Sequence, residues 1–309
     1  MQFDLGQLHP ILFVLIALAR LLSWLPLSVL HGWGAMLGRL VMAMSPDYRR
    51  HLTENLAQAG FDAGGASQTA RVAAEQAGKG ALELAYVWMR PQSEVLNHTR
   101  ASGWASVEAA RAAGKGIVFL TPHLGCFEVT AQFYANNAAA GAPLTVLYRP
   151  PRKAWLAPLV EGSRARQNLA LAPADVSGVR RLARALKRGE AIGLLPDQVP
   201  SRGEGVWAPF FGKPAYTMTL PARLQRTSGA AIVLAYGERL DHARGWIVHF
   251  ERLDVTLSAE PSVAATQINA AMENLIRRLP AQYLWGYNRY KVPRSAAAPG
   301  SGDPKTRAA

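Results

Sequence analysis

Four short apolar runs constrain the fold of this chain more than any other feature: "GIVFL" (116–120), "LTVLY" (144–148), "AIGLL" (191–195) and "AAIVLAY" (230–236). Each has the length of a strand rather than a helix, and each ends in turn-forming or polar residues, so each reads as a buried strand. Helical stretches near 126–137, 153–167, 178–188 and 217–228 separate them. "WIVHFERL" (246–253) adds a further strand, and an amphipathic helix follows at 262–279. Strand–helix alternation of this kind predicts an α/β fold with a largely parallel sheet, because parallel neighbours need a crossover connection.

The N-terminal part has a different character. "ILFVLIALARLLSWLPLSVL" (11–30) is almost wholly apolar, with Arg20 its only charge, and "GWGAMLGRLVMAM" continues it. The length just suffices to span a hydrocarbon core, although Arg20 and Pro26 weaken a simple spanning helix. A helix–turn–helix lying partly in the interface and a buried hairpin are the other readings. "MQFDLGQLHP" carries Asp4 and no Lys or Arg, so it lacks the basic start of a signal peptide. Arg39, Arg49 and Arg50 follow the apolar stretch, which would leave the rest of the chain in the cytoplasm. The expectation is a membrane anchor. "SPDYRRHLTENLAQAG" then offers Ser45 or Asp47 as a helix cap; a turn at 63–67 and a second helix at 68–89 follow. The division expected is residues 1–44 as a membrane-associated helical segment, 45–294 as the main domain and 295–309 as a disordered tail.

Thirty-four Lys and Arg against 21 Asp and Glu give a net charge of +13, which favours anionic partners: acidic lipid, phosphorylated substrates, an acidic protein or nucleic acid. The single cysteine, Cys126, rules out an intrachain disulfide and a cysteine-based zinc site.

"TPHLGCFEVT" (121–130) carries the chemistry. On one continuous helix, residues five apart point about 140° away from each other. His123 and Glu128 therefore meet only if His123 lies in the turn after the strand and Glu128 in the next helix, a geometry that Pro122 and Gly125 favour. The carboxyl end of a strand in an open α/β sheet is where sites form. There an imidazole backed by a carboxylate is a general base, and amides at Gly125 and Cys126 would face a developing oxyanion. Cys126 as a nucleophile and two unrelated polar residues at a turn are the competing readings. Ligand spacing for a metal is lacking.

The ordered set "GKGIVFLTPHLGCFEVTA", "LYRP", "LPDQVP", "GVWAPFFGKPA" and "PAQYLWGYNRYK" resembles the bacterial lipid A biosynthesis acyltransferases, the lauroyl/myristoyl transferases of the lysophospholipid acyltransferase superfamily. The resemblance runs from the N-terminal apolar segment to about residue 293. It implies a glycerol-3-phosphate-acyltransferase-like mixed sheet flanked by helices, and transfer of a fatty acyl group from an acyl carrier protein thioester to a hydroxyl of a lipid A precursor. It also implies a place at the inner membrane, with the catalytic part facing the cytoplasm. His123 would be the base and Glu128 its orienting carboxylate. A thioester is already activated, so no metal or other cofactor is expected.

The same resemblance places Arg149, Arg164 and Arg166 near an anionic acceptor headgroup, where a guanidinium suits phosphate. It puts Asp197 and Gln198 at the acceptor site, and Phe210 and Phe211 beside an acyl channel. "YLWGYNRYK" reads as a membrane-interface belt, or as an aromatic and basic surface for single-stranded nucleic acid. Acyl transfer to another lipid acceptor keeps the same chemistry. A non-catalytic basic module for membrane or nucleic acid is the reading of another class, but no nucleic-acid fold signature is present, so nucleic acid is not an expected partner.

Overall fold

The computed structural model describes residues 10–61, 66–138, 142–151, 153–164, 166–200, 204–294 and 296–299. Most of the turn expected at 63–67, and all but four residues of the tail expected at 295–309, lie outside these.

The N-terminal third is helical: α1 (Pro10–Ser23), α2 (Leu27–Met44), α3 (Pro46–Gln58), α4 (Ala66–Met89) and α5 (Gln92–Asn97). Pro26 separates α1 from α2, and Ser45 caps α3 by accepting from the Tyr48 amide. The remainder runs β1 (Thr99–Ser102), α6 (Trp104–Ala112), β2 (Ile117–Leu120), α7 (Phe127–Asn137), β3 (Leu144–Tyr148), α8 (Ala157–Arg164), β4 (Leu169–Pro173), α9 (Val176–Lys187) and β5 (Ala191–Leu194). It ends with β6 (Gly205–Phe210), β7 (Lys213–Met218), α10 (Leu220–Ser228), β8 (Ala231–Arg239), β9 (Trp246–Arg252) and α11 (Pro261–Arg278).

Seven strands form one sheet in the order β1-β9-β8-β2-β5-β3-β4. The five from β8 to β4 run parallel, and β9 pairs antiparallel with β8, carrying β1 with it. The mixed α/β architecture is as expected, and the strands expected around 117, 144, 191, 231 and 246 are all present. Four strands, β1, β4, β6 and β7, were not expected. β4 lies in the gap between the stretches read as helix at 153–167 and 178–188, and β6–β7 is a separate antiparallel hairpin. Pro209 and Pro214 face each other across that hairpin, and prolines of this kind mask a strand pattern.

The two sheet faces alternate residue by residue, as the pleat requires. Val118, Leu120, Ile192 and Leu194 join α9, α10 and α11 in one core cluster. Ile117, Phe119, Val233 and Ala235 join α6 and α7 in the other. α4 touches both clusters, with Ala70, Ala73 and Ala74 in the first and Tyr86 and Val87 in the second. α2 lies on α4 backbone to backbone: a Cβ on Gly34 would come within 2.7 Å of the Gly78 carbonyl, and one on Gly38 would collide with the Ala74 carbonyl. A buried ion cluster fastens this layer to the sheet. Glu83 of α4 accepts from Arg239 of β8, from Trp246 Nε1 at 3.2 Å and from His31 of α2 at 3.0 Å.

Candidate active site

The sheet's parallel centre delivers His123 to the carboxyl end of β2, where the Thr121 amide still pairs with the Leu194 carbonyl of β5. The chain then turns through Leu124 and Gly125 before α7 begins. Gly125 has φ of +59°, and a Cβ there would meet the Gly237 carbonyl, so only glycine fits this turn. His123 does lie in the turn, and Glu128 does lie in the first turn of α7.

Their partners are not each other. His123 Nδ1 lies 2.8 Å from Asp197 Oδ1, and the His123 amide donates to Asp197 Oδ2 at 2.8 Å. Asp197 follows β5, the strand beside β2, and is 2% exposed. Burial alone would raise its carboxyl. The neighbouring imidazole, the two hydrogen bonds and Arg289 outweigh burial and hold it below the usual carboxylate range. With Nδ1–H donated to Asp197, the lone pair of Nε2 is left facing Gln198, whose side-chain nitrogen sits 3.2 Å away. The ring edge packs on Phe127.

Glu128 is held by Arg164 of α8. Both Glu128 oxygens lie 3.1 Å from Arg164 Nε, and a short contact to the terminal nitrogen completes a forked pair. Arg164 also stands over the Trp88 ring at 5.8 Å. The carboxylate in contact with the imidazole is therefore Asp197, a residue expected to meet the acceptor, and not Glu128.

His123, Glu128, Arg164, Arg149 and Gln198 share the wall of one cavity of about 270 Å³. It runs inward along the sheet face under α7, past Phe119, Tyr134, Val146, Gly193, Ala235 and Phe250. One end is polar and the interior apolar, the pattern of a site for a chain with a reactive head. Tyr148 at the polar end donates to Glu161 at 2.5 Å, which pushes its hydroxyl up to about 12.

Other expected residues are placed differently. The Gly125 and Cys126 amides donate to the Gln282 and Gly237 carbonyls at 3.0 and 2.8 Å, so neither is available to an oxyanion. The Cys126 side chain is buried, and burial pushes its thiol well up, which suits packing rather than nucleophilic attack. Phe210 and Phe211 are 1% and 5% exposed and sit in the core with Phe61 and Trp285, away from the cavity wall. Arg166 is half-buried, and its guanidinium donates to the Trp88 carbonyl at 3.0 Å.

"YLWGYNRYK" is not a surface belt. Tyr283, Trp285 and Arg289 are buried. The Leu284 amide holds the His123 carbonyl at 3.1 Å, the Tyr287 hydroxyl accepts from the Val199 amide at 3.0 Å, and Arg289 donates to Tyr216 and Thr217. The segment straps the His123 loop and the Asp197 loop together. Among the described residues, no three His, Cys, Asp or Glu side chains converge as a metal site would require.

Residues 1–292 match the family described as bacterial lipid A biosynthesis acyltransferase. The chain is 24% identical over 299 residues to the lipid A biosynthesis lauroyltransferase of Escherichia coli (strain K12), covering 94% of this chain and 95% of that one. It is 25% identical over 285 residues to the lipid A biosynthesis palmitoleoyltransferase of the same organism, covering 88% and 91%. The lipid A biosynthesis acyltransferase of Haemophilus influenzae (strain ATCC 51907 / DSM 11121 / KW20 / Rd) is 25% identical over 207 residues, covering 64% of this chain and 60% of that one.

Proposed function

The chain belongs to the bacterial lipid A biosynthesis acyltransferase family, and we propose that it moves a fatty acyl group from an acyl carrier protein thioester to a hydroxyl of a lipid A precursor at the cytoplasmic face of the inner membrane. The observation that carries this reading is the His123–Asp197 pair at the polar end of a cavity whose interior is apolar.

In the proposed reaction the acyl chain of the donor lies along the sheet face under α7, which leaves its thioester carbonyl near His123. The acceptor hydroxyl displaces the Gln198 amide from Nε2. As its oxygen bonds to the carbonyl carbon, its proton passes to Nε2, and Asp197 stabilises the imidazolium that forms. The tetrahedral intermediate then collapses, the carbon–sulfur bond breaks, and the proton moves from Nε2 to the departing sulfur. Ester and free carrier thiol are the products. The freed Gln198 amide and Arg149 are the side-chain donors near the developing oxyanion, and α7 adds the positive end of its dipole. Arg164, fixed by Glu128, presents a guanidinium edge toward a phosphorylated acceptor.

The test is transfer from lauroyl- or myristoyl-carrier protein to a radiolabelled tetra-acylated lipid A precursor by the purified protein. Transfer by the wild type and its loss in His123→Ala supports the reading. Undiminished transfer in the variant removes His123 as the base, and no transfer by folded wild type removes this acceptor.

A further inference from the structure

α2 is long and apolar enough to cross a membrane by composition alone. At 1.5 Å per residue its 18 residues extend about 27 Å, just under a hydrocarbon core of about 30 Å, and α1 reaches only about 21 Å. Length therefore leaves the question open, and packing decides it.

One face of α2, made of Leu27, Leu30, His31, Gly34 and Gly38, is buried. It rests on α4 at backbone contact, and His31 is tied to Glu83 inside the protein. The opposite face is a stripe at helical spacing: Trp33, Met36, Leu40 and Met44 are 49%, 59%, 52% and 73% exposed. α1 continues that surface with Val14, Leu18, Leu21 and, at the bend, Trp24 at 79%. A spanning helix is wrapped by lipid or by other spanning helices. α4 cannot serve as such a neighbour, because Arg71 is exposed on it and its Glu75 pairs with Arg39 of α2 at 3.3 Å. Pulling α2 across a bilayer would draw these charges into hydrocarbon or tear α2 from the protein.

We propose that α1 and α2 lie along one leaflet of an anionic bilayer without crossing it, their exposed stripe immersed and their other face fixed to α4. The proposal rests on the lipid-substrate reading above for the choice of lipid over a second copy of the chain, and on charge for the choice of an anionic surface. Arg39, Arg49 and Arg50 are exposed along and just after the stripe, and tryptophans at its edge suit the headgroup level. The placement also brings the bilayer to the site. Arg90 donates to the Ser23 carbonyl at the α1–α2 bend at 2.6 Å, and Trp88, two residues earlier, carries Arg164 of the cavity wall. From the bend, contacts through Arg90, Trp88 and Arg164 lead to Glu128 in the cavity wall.

The experiment uses the full chain with Ser28→Cys or Asp47→Cys, one on each flank of α2, since the native Cys126 is buried. Sealed spheroplasts and inverted membrane vesicles are treated with a membrane-impermeant maleimide. Both cysteines should label to the same extent in inverted vesicles and neither in spheroplasts. Labelling from opposite sides overturns the proposal in favour of a crossing helix. As a second readout, Met36→Cys carrying an environment-sensitive dye is mixed with phosphatidylglycerol–phosphatidylethanolamine vesicles. Quenching should be strongest with quenchers placed near the headgroups, and a maximum at the bilayer centre overturns the proposal. A protein that ignores vesicles and dimerises through this face also overturns it. Transfer assays on the same samples separate the two readings: in-plane labelling without acyl transfer rejects the proposed function and leaves the topology standing.

Discussion

One carboxylate grips His123 twice: Asp197 Oδ2 takes its backbone amide while Oδ1 takes Nδ1, each at 2.8 Å. The first bond fixes the loop and the second fixes the ring, so the imidazole cannot turn without losing a partner that is itself buried. Asp197→Asn keeps the shape but offers Nδ1 an uncharged partner. Transfer in this variant should fall by about 10²–10⁴-fold in kcat with little change in KM, the cost of an unsupported general base. Steady-state kinetics on folded protein checks this, and wild-type kcat would reject Asp197 as the positioning residue.

Glu128 is expected to behave otherwise, because its forked partner is Arg164 rather than the imidazole. Glu128→Gln and Arg164→Ala should each raise the acceptor KM, and the double variant should be hardly worse than either single one. Residues that act as one unit are non-additive in this way. A Glu128→Gln variant that instead loses kcat and leaves the acceptor KM unchanged would return Glu128 to the orienting role.

The five-residue spacing of His123 and Glu128 was readable, and it located the strand-to-helix turn correctly. What the spacing did not contain is that Asp197, 74 residues on, reaches the same turn because β5 lies beside β2. Strand order is a property of the folded sheet, so no linear pattern shows it. Glu128 misled for the same reason, since its partner arrives from α8. The aromatic and basic C-terminal segment misled through composition: Trp and Tyr with a polar tip suit a membrane interface, and they equally suit a buried strap whose hydroxyl and guanidinium groups find internal partners. "GIVFL" was legible because it is buried on both sides and carries a continuous apolar signal, and "LTVLY" because it carries the same signal although its second half lines the cavity. The β6–β7 hairpin, with two prolines, carries none.

The Glu83 cluster predicts a specific response to acid. Burial would raise the Glu83 carboxyl, but Arg239 and His31 hold it down to about 2, from an ordinary value of 4.5. A carboxyl depressed in the folded state stabilises fully above its unfolded value and loses that contribution as pH falls toward the folded value. The cluster should therefore contribute roughly 3 kcal/mol at pH 6, fading as pH falls from about 4.5 toward 2. Denaturant unfolding across this range should show Glu83→Gln starting lower and varying less with pH. Parallel curves for the two proteins would remove Glu83 from acid sensitivity.

Gly193 sits on β5 where the cavity passes Val146, and a Cβ there would stand 3.3 Å from Val146 Cγ2. Gly193→Ala narrows the apolar interior without touching the polar end. Under the proposed function, the longest acyl donors accepted should lose about 10–200-fold in kcat/KM relative to shorter ones, the usual worth of a methylene-sized change in an apolar pocket. Competition between donors of different length measures the ratio directly, and an unchanged ratio would place the acyl chain elsewhere.

Under the proposed function, a carrier-protein donor makes a last prediction, away from the cavity. Ala174, just before α9, lines the cavity mouth, and α9 then runs down the outside of the sheet with Arg180, Arg184 and Lys187 exposed on it. These cations lie on one face at helical spacing, the form that attracts an acidic protein and raises its encounter rate. A triple Arg180→Glu, Arg184→Glu, Lys187→Glu variant should raise KM for the carrier-protein thioester at least tenfold. Added salt should weaken the wild type toward the variant, because exposed charges are screened within about a Debye length. The same acyl group presented on a small thioester has no acidic surface, so its turnover should be alike in both proteins. If the variant fails equally with both donors, α9 is a structural helix and the carrier docks on another face. If both proteins use the carrier equally well, its approach does not depend on these charges.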